Sequence, residues 1–252
     1  EGDEVPVKDP LIIVGEPGED ISGLVPGGDA APVEADAPAE QAAAPEAAVI
    51  ETVFSPTQAL VRALGGSVIE YFKVDPALAH RTISRVADAL ARYAAGLEGF
   101  GVDALFVAVN GASRDATSFG LTPEQFRDWV APYDIQVLAA APSLVRIAHL
   151  HGEDADPELI ADYPVEVLSW SDTSSAPTIP EATSRYGWVP MVGIDELTSL
   201  YWTPSEAVAH VIQARRAAGD RLIVAPNCTL HSDINPLTLV GLRRGVDVAL
   251  TY

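Results

Sequence analysis

Gly101-Val102-Asp103-Ala104-Leu105-Phe106-Val107-Ala108-Val109-Asn110, then Leu121-Thr122-Pro123-Glu124-Gln125-Phe126, then Arg146-Ile147-Ala148-His149-Leu150-His151, decides the fold class. Asp103–Val109 is a short apolar run of the kind that forms a strand buried on both faces. Thr122-Pro123-Glu124-Gln125 is a capping box with Pro in the first turn, so a helix starts there and runs towards Ala141. Arg146–His151 is the next strand. Strand, helix and strand with short links make a βαβ unit, whose two strands lie parallel.

The same grammar extends in both directions. Upstream, Val49–Phe54 reads as a strand, and Pro56–Leu64 and Pro76–Leu97 as helices, the second opened by Asp75 as N-cap with Pro76 in the first helical position. Downstream come a short helix Pro157–Asp162, a strand Val165–Trp170, a helix Ile179–Tyr186 and a strand Pro190–Ile194. A second capping box, Thr203-Pro204-Ser205-Glu206, opens a helix to Ala218. Leu222–Ala225 is a strand, Pro236–Arg244 a helix, and Val246–Leu250 a last apolar run. Alternation alone does not separate a closed barrel from a doubly wound sheet. The absence of Gly-x-Gly-x-x-Gly after the first strand argues against a dinucleotide-binding fold.

Residues 1–47 are different. They are rich in Ala, Pro, Gly, Glu and Asp, with only Leu11–Val14 strand-like, and read as a mobile acidic segment ahead of a domain over 48–252. Their 12 acidic residues and one Lys account for −11 of the net −21, leaving −10 on the domain. Such a charge argues against nucleic acid or an anionic membrane as partner. No apolar run approaches the ~20 residues of a membrane span, and the acidic N-terminus is no signal peptide. One cysteine, Cys228, excludes an internal disulfide framework and fits a reducing compartment, so the cytoplasm is the expected location. The chain starts at Glu1 rather than Met, so its natural start is expected upstream.

In parallel α/β folds chemistry sits at the C-terminal ends of strands. Those ends carry Glu51, Thr52 and Phe54; Asn110, Ser113, Arg114 and Asp115; His149 and His151; Trp170, Ser171 and Asp172; Gly193 and Asp195; and Asn227, Cys228 and His231. Strand residues two apart point the same way, so His149 and His151 present two imidazoles to one region. Cys228, ending another strand, can add a thiolate. Two His and one Cys suit zinc better than magnesium or calcium, and leave the open fourth position of a catalytic site. The same residues can also be plain loop-edge polars and a small buried hydrophobe. Asp115, Asp172 and Asp195 are acid–base candidates or helix caps; Trp170 is a pocket wall or core packing; Arg114 is a carboxylate grip or a solvated charge. His80 and His210 fall in helices as surface or packing residues.

Six segments in order resemble the uroporphyrinogen decarboxylase superfamily. They are Val49-Ile50-Glu51-Thr52-Val53-Phe54-Ser55-Pro56, Gly101–Phe106, Leu121–Phe126 with Pro132-Tyr133, Ala148-His149-Leu150-His151-Gly152, Val167-Leu168-Ser169-Trp170-Ser171-Asp172, and Leu222–Cys228. The resemblance implies a (β/α)8 barrel of the TIM type, here N-terminally incomplete because the family's first strands precede Val49. An open barrel exposes strand edges, so either the chain is a piece of a longer protein or another chain, such as a homodimer partner, completes it.

The resemblance also implies chemistry. One branch of the family decarboxylates tetrapyrrole acetates without metal, in porphyrin (heme) biosynthesis. The other holds zinc through a His-x-Cys pair and a later Cys, and moves methyl groups between corrinoids and thiols. His149 and Cys228 stand at the first and last zinc-ligand positions, and His151 stands where that branch has Cys. The decarboxylase branch's arginine-rich N-terminal motif and following Asp have no counterpart, and its tyrosine after the first segment is Arg62. The leading expectation is therefore zinc-dependent methyl transfer to a thiol, with His149, His151 and Cys228 on zinc. Asn110, Asp172 and Asp195 are then the catalytic candidates, and Phe54, Arg114 and Trp170 form the substrate pocket. The partner is a small molecule: a thiol, a corrinoid or a tetrapyrrole. Decarboxylation and a non-catalytic incomplete barrel are the alternatives.

Overall fold

The computed structural model describes residues 47–65, 68–113, 120–152 and 154–249. The acidic segment, including Leu11–Val14, lies outside the described residues except for Ala47. From Ala48 onward the chain is one compact unit.

Six strands form a single parallel sheet in sequence order: β1 (Ile50–Phe54), β2 (Ala104–Val109), β3 (Val145–Leu150), β4 (Val167–Trp170), β5 (Val189–Ile194) and β6 (Ile223–Pro226). The helices are α1 (Pro56–Leu64), α2 (Val68–Val74), α3 (Pro76–Leu97), α4 (Pro123–Trp129), α5 (Ala131–Ala139), α6 (Ile179–Ser184), α7 (Pro204–Ala218) and α8 (Pro236–Ala249). Neighbouring strands following one another in sequence, joined through helices, give the architecture of an incomplete (β/α)8 barrel. Among the described residues β1 and β6 each pair on one side only. No helix among them is long and apolar enough to cross a membrane.

Side-chain caps account for the starts of α3, α4, α6 and α7. The Thr122 and Thr203 side chains accept from the Gln125 and Glu206 amides in reciprocal boxes, Thr178 and Glu181 make a third, and Asp75 Oδ1 accepts from Leu78 N at 3.0 Å. The single helix expected from Thr122 to Ala141 is two, broken at Val130 (φ −121°, ψ −60°). Pro132 causes the break, because it has no N–H to continue the ladder and its ring crowds the carbonyl four residues back. The short helix at Pro157 is a single 3₁₀ turn, Pro157–Leu159. The run from Val246 continues α8 as far as Ala249. There α7 and α8 approach closely: a Cβ at Gly241 would lie 2.5 Å from Pro204 O, and one at Gly245 2.8 Å from Val211 Cβ.

Register places the site. Phe54 pairs with Ala108, Ala108 with His149, His149 with Ser169, and Ser169 with Met191. These residues form one layer facing the barrel interior. Beneath it lie Thr52, Phe106, Ile147, Val167 and Val189, joined by the same pairings. Alternate residues face the helices: Leu105, Val107, Val109, Ala148, Leu150, Leu168, Trp170 and Val192 enter the main apolar core. Burial of apolar surface stabilises at about 25 cal/mol per Å², and this helix-facing layer belongs to the largest apolar cluster among the described residues.

Candidate metal centre

β3 delivers His149 and the residue after its end, His151, to the interior; the loop after β6 delivers Cys228. One nitrogen of each imidazole and the Cys228 Sγ all lie within 4.8 Å of one another. His149 is buried, Cys228 half-buried and His151 exposed. His149 is held from two sides. Its Nδ1 lies 3.1 Å from Ser169 Oγ, its partner in register, and its ring stacks on Phe106 with centroids 5.5 Å apart. With Nδ1 engaged, Nε2 is the nitrogen left to act. His151 Nδ1 lies 3.4 Å from Cys228 Sγ, and its backbone N–H extends the β2–β3 ladder to Val109 O at 3.0 Å.

The electrostatics follow from this packing. The His149 and His151 imidazoles bring the Cys228 thiol down to about 5, against the opposing effect of burial. His151 moves the other way. Contact with Cys228 raises it, burial opposes, the Cys228 and Glu196 charges add to the rise, and Arg62 subtracts from it. The shift favours the thiolate of Cys228, the form of cysteine that binds metals and reacts.

The cluster opens into a cavity of about 450 Å³ whose wall includes Phe54, Asn110, His149, His151 and Cys228. The wall also holds Thr52, another strand-end candidate, and Arg62, Phe106, Ser169 and Met191, which strand-end position does not mark. Phe106, Ser169 and Met191 share a strand face with a strand-end candidate, so the period of two is the signal that finds them. Arg62 comes from α1 and leaves no such signal.

The remaining expected residues lie elsewhere. Asp172 and Asp195 line a separate cavity of about 160 Å³ with Gly193 and His210. Burial pushes Asp172 up, Asn227 and nearby backbone amides pull it down, and the Asp195 charge adds to the rise. Burial also acts on Asp195, but the Thr198 and Leu197 amides, with the Thr173 and Thr198 hydroxyls, hold its carboxyl below the usual range. Its Oδ1 accepts from Leu197 N and Thr198 N, both at 2.9 Å, the geometry of a cap. Trp170 is fully buried on the helix-facing side, its Nε1 donating to Pro177 O at 2.9 Å. Arg114 and Asp115 lie outside the described residues. His210 stacks on Trp202 at 3.8 Å, and His80 Nδ1 lies 2.7 Å from the Tyr133 hydroxyl, so both pack.

Comparisons with known proteins give the same architecture. A methyltransferase from Methanosarcina mazei superposes with a TM-score of 0.68 at 18% identity, covering 83% of this chain and 61% of its own. A B12-independent methionine synthase from Shewanella sp. W3-18-1, solved with selenomethionine, superposes with a TM-score of 0.58 at 17% identity, covering 81% of this chain and 62% of its own. At such identities the likeness is one of fold, and this chain spans about three-fifths of the length of each. No curated protein matches the sequence. Residues 34–242 match the family described as uroporphyrinogen decarboxylase (URO-D). A match over most of the chain, on the fold just described, makes this protein a member of the URO-D family.

Proposed function

We propose that His149, His151 and Cys228 hold a zinc ion, and that the chain belongs to an enzyme that transfers a methyl group to a thiol from a corrinoid or similar donor. The observation carrying this reading is the convergence of two imidazoles and a thiol, from two strand ends, on one cavity. The donors fit the ion. Zinc–nitrogen bonds of ~2.0–2.1 Å and zinc–sulfur bonds of ~2.3 Å keep donors within roughly 4.4 Å of each other, and these three lie within 4.8 Å before any side-chain adjustment. Nitrogen with sulfur favours zinc over oxygen-seeking cations.

Bound there, zinc would lower the pKa of a substrate thiol coordinated at its fourth position. The chain's residues supply the rest. Ser169 fixes the His149 ring, and Phe106 stacks against it. Phe54 and Met191 form apolar wall, while Thr52 and Asn110 offer polar contacts to the substrate. Asp172 and Asp195 shape the ends of β4 and β5 from the neighbouring cavity. In the reaction the substrate sulfur forms the S–CH3 bond, the methyl–donor bond breaks, and its electron pair stays with the donor.

The test is demethylation of methylcobalamin by the zinc-loaded protein with a small thiol, followed by the cobalamin spectrum. Thiol-dependent demethylation that a chelator abolishes is expected; a rate equal to the protein-free control removes the reading. Decarboxylation of a tetrapyrrole is the second reading, favoured by the family match. It needs a cationic pocket, and Arg62 is the one guanidinium on this wall among the described residues. Chelator-insensitive turnover of uroporphyrinogen would select it instead.

A further inference from the structure

Methyl transfer as proposed gives Arg62 no part, yet Arg62 lines the same cavity as His149, His151 and Cys228. Its Cζ lies 4.2 Å from the centroid of the Phe54 ring, which also lines that cavity. Arg146, Arg185, Arg215 and Arg243 each lie against a carboxylate. Among the described residues none pairs with Arg62. In a chain of net charge −21, a guanidinium at a cavity wall with no carboxylate against it among the described residues is a place prepared for an external anion.

The geometry suits that role. Stacking occupies the flat face of a guanidinium and leaves its edge of N–H donors free. Phe54 ends β1 while Arg62 comes from α1, so the ring supports the charge from a different element and less freedom is lost on binding. A guanidinium edge matches the two oxygens of a carboxylate, sulfonate or phosphate.

We infer that Arg62 is the specificity-determining residue of the cavity: it binds an anionic group at one end of a substrate whose other end reaches the His149–His151–Cys228 cluster. The inference rests on the cavity being the substrate site, as proposed above, but not on zinc being present.

The test uses 3-mercaptopropionate and its uncharged analogue 3-mercaptopropionamide as probes. Their affinities are measured by titration calorimetry for the wild-type protein, Arg62→Gln and Arg62→Lys, each metal-free and zinc-loaded. The wild type is expected to prefer the carboxylate by about tenfold or more, as a charge-assisted contact provides. Arg62→Gln should reduce the preference to within about twofold, and Arg62→Lys should retain part of it, since lysine keeps the charge without the fork. Equal affinity for both probes, no measurable binding of either in both protein forms, or an unchanged preference in Arg62→Gln overturns the inference. A protein that takes up no zinc yet keeps the Arg62-dependent preference sinks the proposed function alone. Zinc uptake without any preference sinks this inference alone.

Discussion

The two faces of the six-stranded sheet are built to opposite ends. On the helix-facing side Leu105, Val107, Val109, Ala148, Leu168, Trp170 and Val192 are each 0% exposed. On the interior side Ala104, Ile147 and Val167 form a small buried apolar layer. Above that layer sit His149 and Ser169, and towards the sheet's two edges Ile50, Phe54 and Ile223 are 38–40% exposed. One backbone carries both faces because side chains alternate along each strand. The outer face supplies packing, and the inner face holds polar groups at fixed spacing.

That contrast can be broken by substitution. The largest effect is expected on the outer face. Trp170→Ala should cost about 3–5 kcal/mol, the usual range for removing a buried aromatic, seen as a lower urea midpoint. Metal uptake per folded molecule should not change. If zinc affinity fell with stability, the two faces would not be independent.

A buried acid on the outer side gives the next effect. Asp134 is fully buried, and Tyr163 donates to its Oδ2 at 2.8 Å. Burial raises its carboxyl to about 7 from the ordinary 3.8, against the Ser55 and Tyr163 hydroxyls. Between those values the folded protein holds a proton that the unfolded chain has released. Stability should therefore fall as pH rises through that window and level off above it, over on the order of a few kcal/mol. Asp134→Asn should flatten the dependence. A wild-type profile already flat between pH 4 and 7 would contradict it.

The smallest effect is on the inner face. Ser169→Ala removes the partner of His149 Nδ1, and should weaken zinc binding about 10- to 100-fold with little change in stability. Competition against a chromophoric chelator measures it. An unchanged affinity would mean that packing on Phe106 alone orients the ring.

Much of this was legible in the sequence because local signals agreed with the global fold. The capping boxes at Thr122 and Thr203 and the proline-opened helices marked α4 and α7, and the apolar runs marked the strands. His149, His151 and Cys228 stood out as chemically special residues at strand ends. What did not show was direction. Trp170 lies beside Ser169, so if Ser169 faces inward Trp170 faces the helices; that parity follows from the pairing of Ser169 with His149. Asp172 and Asp195 lie past their strands, where no ladder fixes orientation. Arg62 reaches the cavity from a helix surface through tertiary packing, and helix period alone does not indicate which exposed residue meets a strand end.

Zinc content by elemental analysis, on protein purified without added metal, tests the central claim most directly. About one zinc per chain is expected from a three-ligand site with one open position, with none retained by Cys228→Ser or His149→Ala. Wild-type protein without zinc even after reconstitution, or variants that keep it in full, would contradict the account.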